Sequence, residues 1–144
     1  MTAEVFQLAG EIMFDANHYA DAEHCYTLAA TAAREAGAMD LWACAMTRHA
    51  YISVYEQRSR DAVPLLQLGA DLASRGDTQL ATRHWVSSVL AQAMAGIGDL
   101  TACERVLDHA EQVQTIMNPG NGGWLPVRRH TTGRRPRKLI RTLW

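Results

Sequence analysis

The chain of 144 residues is poor in aromatic residues and cysteines and has no long apolar run. Aromatic residues make up only 7% while alanine is abundant, which favours closely packed helices and argues against a β sandwich or barrel. The three cysteines have no zinc-like spacing, and their odd number argues against a disulfide framework. No run of about 18 apolar residues is present, and the N-terminus is acidic where a signal peptide would be basic. We therefore expect a soluble cytoplasmic protein.

Acidic residues are absent from the last part of the chain. All 15 of them, with seven of the 14 basic residues, lie within 1–125, which gives this part a net charge of −8. The remaining seven basic residues lie within 126–144, a net charge of +7. The change follows a Gly- and Asn-rich stretch that cannot continue a helix. We predict a helical repeat domain over 1–117, a break over 118–125 and a basic tail over 126–144 that is disordered or forms a short terminal helix.

Apolar residues of the first segment recur at helical spacing in six blocks. The predicted helices cover residues 3–15, 19–36, 40–56, 61–74, 78–96 and 100–115. Asp40 and Asp77 are suitable N-caps, and Gly37 and Gly76 suit the left-handed turn after a helix. Pro64 must lie in an N-terminal turn, because deeper in a helix it would clash with a preceding carbonyl. That requirement supports the predicted start of the fourth helix.

The helices form three consecutive pairs with a shared order of large and small residues. The first pair has Phe6, Ala9, Gly10 and Met13, then, after a turn, Tyr19, Ala22, Tyr26 and Ala29. The third repeats this order with Leu90, Ala91, Met94, Gly98, Leu100, Cys103, Leu107 and Ala110, and the second is looser. The order resembles the tetratricopeptide repeat, in which small residues let antiparallel helices approach closely. The resemblance implies an all-α fold, a right-handed solenoid of about three antiparallel helix pairs.

A longer stretch carries a second resemblance. The run CYTLAATAAREAGAMDLWACAMTRHAYISVYEQRSRDAVPLLQLGADLASRGD, with NGGWL after the third pair, resembles the repeat region of actinobacterial helix-turn-helix transcriptional regulators. The resemblance covers about residues 3–125. In that family a DNA-binding domain precedes the repeats, which sense or bind a partner. Because this sequence starts inside the repeats, the resemblance implies a truncated bacterial regulator without a recognition helix.

Catalytic and metal-binding patterns find little support. No two of the six histidines share a helix face at the four-residue spacing that metal ligation favours. Cys25 with a distant histidine could form a nucleophile pair, but nothing supplies an oxyanion hole or a third orienting group. The glycines at 120, 122 and 123 follow no strand and precede no clear helix, so they do not form a phosphate loop. We predict no enzyme activity, no catalytic residue, no metal and no cofactor.

The expected binding surface is the face lined by the first helix of each pair, where helical solenoids bind extended peptides or partner helices. The candidate groove residues are Gln7, Glu11, Thr47, Arg48, Tyr51, Tyr55, Trp85, Ser88 and Gln92. The alternative is solvated helix surface for the polar residues and core for Tyr55 and Trp85. The predicted function is a non-enzymatic protein- or peptide-binding or sensor module, with a protein or peptide partner and no membrane partner.

The basic tail leaves two hypotheses open. In one, the chain is a nucleic-acid-binding protein that neutralises phosphates with Arg128, Arg129, Arg134, Arg135, Arg137, Lys138 and Arg141. In the other, which we prefer, residues 126–144 are a frameshifted read-through, because the codons of PVRRHTTG read one base later permit RFDGTRLA. That string is close to what the regulator resemblance implies after NGGWL. We further expect the face around Leu107, Ala110 and Val113 to promote self-association.

Overall fold

The computed structural model describes residues 1–117, with side chains as far as Gln112. Six helices and no strand occur in these residues, which confirms the predicted all-α class. The helices are α1 (Thr2–Asp15), α2 (Tyr19–Glu35), α3 (Met39–Tyr55), α4 (Ser59–Ser74), α5 (Thr82–Gly96) and α6 (Leu100–Met117). Among them, none has the length and apolar character needed to cross a membrane.

Packing follows the order of the helices along the chain. Each helix contacts the next one, and α3 also contacts both α1 and α5. The second helices of the pairs, α2, α4 and α6, make no such contacts with one another within the described residues. This arrangement, with short turns between antiparallel neighbours, is consistent with a helical repeat of three pairs. One face of the domain is thereby built from α1, α3 and α5.

Four of the five turns end the preceding helix in the same way. Each contains one residue with a positive φ: Asn17 at 62°, Gly37 at 66°, Gln57 at 63° and Gly98 at 82°. The N–H of the following residue bonds to a carbonyl five residues back, as in His18 to Met13 at 2.8 Å and Asp99 to Met94 at 3.0 Å. This Schellman-type ending satisfies carbonyls that the helix leaves free. The turns are therefore rigid and nearly equivalent.

The connection between α4 and α5 is different, and two sequence predictions fail there. Asp77 was expected to cap a helix beginning at residue 78, but α5 begins at Thr82. The Asp77 N–H instead donates to Asp40 Oδ2 at 2.7 Å, and Asp77 Oδ1 accepts the Gln79 N–H at 2.8 Å. Asp40 does not cap α3, since that helix begins at Met39. A contact between distant residues thus replaces two local caps.

Two further local predictions need correction. Gly76 has no positive φ. A glycine suits this position for a steric reason, because a Cβ there would overlap the Asp40 carboxylate. Pro64 was expected in the first turn, but α4 begins at Ser59, which places the proline in the second turn. Its ring nitrogen cannot donate to the carbonyl of Arg60, but Arg60 is an exposed residue. The helix continues through the proline to Ser74.

The core consists of three clusters at the junctions between helices. The largest contains Ala50, Val54, Ala62, Leu66, Val89, Leu90 and Ala93, from α3, α4 and α5. A second joins Ala43, Leu72, Ala73 and Val86, and a third joins Ala22 and Tyr26 of α2 to Ile52 of α3. In the first pair, Gly10 of α1 lies against the Tyr26 ring, with ring atoms 2.7 and 2.9 Å from where a Cβ would stand. The closest approach there is glycine against tyrosine, whereas the repeat pattern predicts two small residues.

Candidate ligand-binding groove

A cavity of about 300 Å³ opens on the face shared by α1 and α3. It is lined by Glu11, Phe14, Asp15, Tyr26, Arg48, Tyr51 and Tyr55. Three lining residues follow one another at intervals of three or four on α3, so helical periodicity places them on one face. Glu11, Phe14 and Asp15 line the cavity from α1, with Glu11 and Asp15 four residues apart on one face of that helix. We refer to this cavity as the α1–α3 groove.

Arg48 is the central polar residue of the groove. Its Nε lies 2.8 Å from Glu11 Oε1, and its Nη1 donates to Gln7 Oε1. Gln7 in turn donates from Nε2 to the carbonyl of Leu41 at 3.0 Å. The guanidinium carbon of Arg48 lies 5.7 Å from the centre of the Trp85 ring, a cation–π contact. Arg48 therefore links α1, α3 and α5 from a single position.

Tyr26 reaches the groove from the second helix of the first pair. Its ring crosses α1 at Gly10, and its hydroxyl donates to Glu11 Oε1 at 3.0 Å. Burial, together with the negative charge of Glu11, raises the pKa of the Tyr26 hydroxyl well above its usual value. The hydroxyl thus stays protonated and, together with Arg48, holds Oε1 of Glu11 in place.

Four aromatic rings pack together at one end of the groove, and three of them, Phe14, Tyr51 and Tyr55, form its aromatic wall. Phe14 lies 5.4 Å from Tyr19, 6.1 Å from Tyr51 and 5.6 Å from Tyr55, measured between ring centres. Tyr19 and Tyr55 are 5.7 Å apart. These tilted and edge-on arrangements are the ones that aromatic quadrupoles favour. The side chain of Tyr55 is nonetheless 55% exposed, so this wall offers an aromatic face to a ligand.

Asp15 supplies a charge that the groove does not neutralise. Its exposed carboxylate forms no ion pair or side-chain hydrogen bond with the described residues, whereas Glu11 is paired with Arg48. The two carboxylates and one guanidinium of the lining therefore leave one unpaired negative charge beside the aromatic wall. Such a surface attracts a cation, and its aromatic rings can pack against the carbon atoms next to the charge.

The nine predicted groove residues fall into four groups. Glu11, Arg48, Tyr51 and Tyr55 line the cavity, while Gln7 and Trp85 contact Arg48 from the sides. Ser88 and Gln92 lie half-buried on α5 outside the lining, and the Ser88 hydroxyl donates to the carbonyl of His84 at 2.9 Å. Thr47 does not face the groove at all. It is fully buried, donates to the Ala43 carbonyl at 2.8 Å and packs against Gly69 of α4.

Three lining residues were missing from the sequence prediction: Phe14, Asp15 and Tyr26. Phe14 and Asp15 follow Glu11 by three and four residues, so the same periodicity that found Glu11 could have found them. Tyr26 belongs to a second helix and was assigned to packing, because sequence alone does not show that its ring passes Gly10. The core alternative for Tyr55 is wrong, since that side chain is more than half exposed.

Other predicted sites lie elsewhere or outside the described residues. The candidate nucleic-acid contacts Arg128, Arg129, Arg134, Arg135, Arg137, Lys138 and Arg141 all fall beyond residue 117, as does the frameshift hypothesis. Over the described part of the chain, no three His, Cys, Asp or Glu side chains are grouped so as to hold a metal ion. Cys25, Cys44 and Cys103 are free thiols, and burial raises the pKa of Cys44 and of Cys103.

Comparison with known proteins finds no matching protein family, no matching curated protein and no matching solved structure. Function is therefore inferred from the geometry of the groove and from the residue patterns described above.

Proposed function

We propose that this chain is a non-enzymatic protein- or peptide-binding module whose binding site is the α1–α3 groove. The observation that carries the proposal is the combination of the 300 Å³ cavity, its exposed aromatic wall and the unpaired Asp15 carboxylate. Pockets that bind ligands are concave, largely apolar and contain few polar groups that fix orientation. A groove along adjacent helices also suits an extended segment, as in other helical repeats.

The chemistry of the lining favours a basic side chain of the partner. The aliphatic part of a lysine or arginine can pack on Tyr55 and Phe14, while its charge lies near Asp15. Arg48 does not oppose this charge fully, because Glu11 pairs with it at 2.8 Å and it stacks over Trp85. The groove is thus cation-selective at the Asp15 end.

The finer assignments rest on the sequence. The order of large and small residues supports a tetratricopeptide-like, right-handed solenoid, and the resemblance to actinobacterial helix-turn-helix regulators supports a sensing role within such a regulator. In that role the groove receives a segment of a partner protein. Binding of a defined peptide tests this proposed role of the groove, whereas circular dichroism or an activity assay does not.

The test is a titration of the full ¹⁵N-labelled chain, followed by NMR, with the blocked peptide acetyl-Gly-Ser-Lys-Ser-Gly-amide. The matched probes replace lysine by arginine or by neutral Nε-acetyl-lysine. We expect saturable shifts confined to α1 and α3 with the two basic peptides and no saturation with the neutral one. Shifts of equal size with the acetylated peptide would show that charge does not matter, and an absence of shifts at α1 and α3 would refute the groove as the site.

Three variants sharpen this titration, two within the groove and one control outside it. Asp15→Asn removes the unpaired charge from an exposed position, and we expect binding to weaken about fivefold, the value of a partly exposed charge contact. Asp108→Asn on α6 makes the same charge change at an exposed position outside the groove lining and is the control, with unchanged affinity expected. Tyr55→Leu retains an apolar side chain but removes the ring, and a roughly threefold loss is expected.

A further inference from the structure

The three helix pairs can be aligned by structure rather than by sequence similarity. Asn17, Gln57 and Gly98 are the left-handed residues at the turn inside each pair. They set offsets of 40 residues between the first and second pairs and 41 between the second and third. With these offsets, each position of α1 has an equivalent in α3 and in α5, and each position of α2 has one in α4 and in α6.

Equivalent residues of α1, α3 and α5 differ sharply in exposure. Ile12 of α1 is 59% exposed, whereas its equivalents Ile52 and Ala93 are fully buried. Val5 is 60% exposed, and its equivalents Ala45 and Val86 are also fully buried. The reason is that α2 covers α3 and α4 covers α5, while no described helix covers α1 on this side. With Leu8, which is 63% exposed, Val5 and Ile12 form an apolar stripe that we call the α1 end face.

At the opposite end of the domain, an apolar residue of α6 is exposed although its equivalents are buried. Leu107 of α6 is 44% exposed, while its equivalents Tyr26 of α2 and Leu66 of α4 are 2% and 0% exposed. Ala110, by contrast, is 2% exposed, so the predicted self-association face is wrong in that residue. Val113 lies beyond the described side chains. Leu107 is therefore the residue that marks the α6 end face.

The internal junctions show what each end face fits. At the junction of α2 and α3, Tyr26 belongs to the same core cluster as Ile52. At the junction of α4 and α5, Leu66 belongs to the same core cluster as Ala93. The equivalents of Leu107 and Ile12 thus belong to one core cluster in both junctions that the chain contains. The two exposed end faces carry the residues equivalent to those on the two sides of these junctions.

We propose that the chain self-associates head to tail, with α6 of one copy packed on the α1 end face of the next copy. Leu107 of the first copy then contacts Ile12 of the second, as Tyr26 and Leu66 join their partners inside the chain. Because the two faces are different surfaces, the contact is heterologous and each added copy leaves a free end. The assembly buries the stripe of Val5, Leu8 and Ile12 and continues the helical repeat across copies. The inference is independent of the ligand in the α1–α3 groove.

The test is sedimentation velocity of the full chain over a range of concentration, with Ile12→Asp and Leu107→Asp as blocking variants. The wild-type chain is expected to form species that grow with concentration, and each single variant is expected to sediment as a monomer. A 1:1 mixture of the two variants should form a heterodimer and nothing larger, since one intact α6 face meets one intact α1 face. Leu68→Asp, at a 40% exposed leucine of α4, is the matched control and should associate like the wild type.

Each other outcome overturns the proposal. A wild-type chain that stays monomeric up to about 1 mM has no useful affinity between its ends. A dimer that survives Leu107→Asp but not Ile12→Asp would be an isologous α1-to-α1 contact. Failure of the two variants to pair would show that the faces are not complementary. Circular dichroism of each variant separates these results from misfolding, which the exposure of all three substituted residues makes avoidable.

Discussion

At the scale of single residues, one glycine determines how the groove is built. Gly10 has no Cβ, so the ring of Tyr26 can cross α1 there and bring its hydroxyl within 3.0 Å of Glu11 Oε1. Glu11 is then held between Tyr26 and Arg48, and Arg48 is directed towards Gln7 and Trp85. A packing feature and a polar feature of the groove therefore depend on the same small residue.

Gly10→Ala tests this dependence. The added methyl group would overlap the buried Tyr26 ring, so we expect a loss of about 1–3 kcal/mol in the free energy of unfolding. Gly69→Ala is the matched control, because its Cβ would lie 3.1 Å from Thr47 Oγ1 and 3.5 Å from Val86 Cγ1. That milder crowding is offset by the ~1 kcal/mol gain in helix propensity. Urea unfolding of both variants should rank them in this order, and equal costs would contradict the Tyr26 contact.

Because the pKa of Tyr26 is raised in the folded state, the free energy of unfolding should fall as the pH rises in the alkaline range. Because the folded pKa exceeds the unfolded value of about 10, the folded state retains this proton more tightly. The stabilisation is fully present below pH ~10 and is lost as the pH rises from there towards the folded pKa. Tyr26→Phe should therefore flatten the decline in unfolding free energy above pH ~10, relative to the wild type. Urea unfolding at a series of pH values from neutral to alkaline measures this dependence. If the free energy of unfolding of Tyr26→Phe fell as steeply with pH as that of the wild type, Tyr26 would not be the cause of the decline.

The groove shows which residues sequence reasoning can find. The alignment of the repeats identified Glu11, Arg48, Tyr51 and Tyr55, because it assigns the first helix of each pair to the binding face. Thr47 was misplaced because it lies next to Arg48 in sequence but points to Gly69, about 100° away around the helix. Tyr26 was missed because its position depends on where α2 crosses α1, a tertiary fact that the sequence pattern does not contain.

At the scale of the helices and turns, local chemistry explains three of the five turns. Glycine at 37 and 98, and asparagine at 17, are residues that adopt a positive φ readily. Gln57 adopts it as well, although glutamine has no such preference, so the packing of α3 on α4 must impose it. The start of α5 was predicted four residues early because residues 78–81 include no proline or glycine to interrupt a helix. The contact of Asp77 with Asp40, 37 positions away, decides it instead.

Asp40 and Gly76 together should fix the connection between α4 and α5. Gly76→Ala would push a methyl group into the Asp40 carboxylate, whereas Asp40→Ala removes both the carboxylate and its 2.7 Å bond to the Asp77 N–H. We expect each single change to cost about 1 kcal/mol, and the Gly76→Ala change to cost less in the Asp40→Ala background. Urea unfolding of the wild type, the two single variants and the double variant measures this coupling. In the Asp40→Ala variant, hydrogen exchange at the Asp77 amide should also be faster. Strict additivity would contradict the proposed contact.

At the scale of the whole molecule, the sequence predicted the number and order of helices because each helix is amphipathic and each turn is short. It did not predict the α1 end face, because Ile12 and Ile52 are the same residue type at equivalent positions. Only the packing order, with α2 covering α3 and nothing described covering α1, makes one exposed and the other buried. Exposure in a repeat protein is thus set by position in the row as much as by residue type.

A row of helix pairs held by nearest-neighbour contacts should also lose its structure in parts, and Ile52 is the residue that tests this. Ile52 is fully buried and is the α3 member of the cluster that joins α3 to Ala22 and Tyr26 of α2. Ile52→Ala should cost about 2–5 kcal/mol, and most of that cost falls on the junction between the first pair and the rest. Because stability in such arrays is a sum of unit and interface contributions, α1 and α2 should then open independently.

Native-state hydrogen exchange of the Ile52→Ala chain measures this directly. Amides of α1 and α2 are expected to lose protection, while those of α4 and α5 keep it, since the clusters around Leu66 and Leu72 do not include Ile52. Val86→Ala at the junction of α4 and α5 is the control, because it weakens a cluster that contains no residue of α1 or α2. The pattern of lost protection should therefore move to α5 and α6. If either variant instead raised exchange evenly over all six helices, the domain would unfold as one cooperative unit, and its pairs could not be treated as separable repeats.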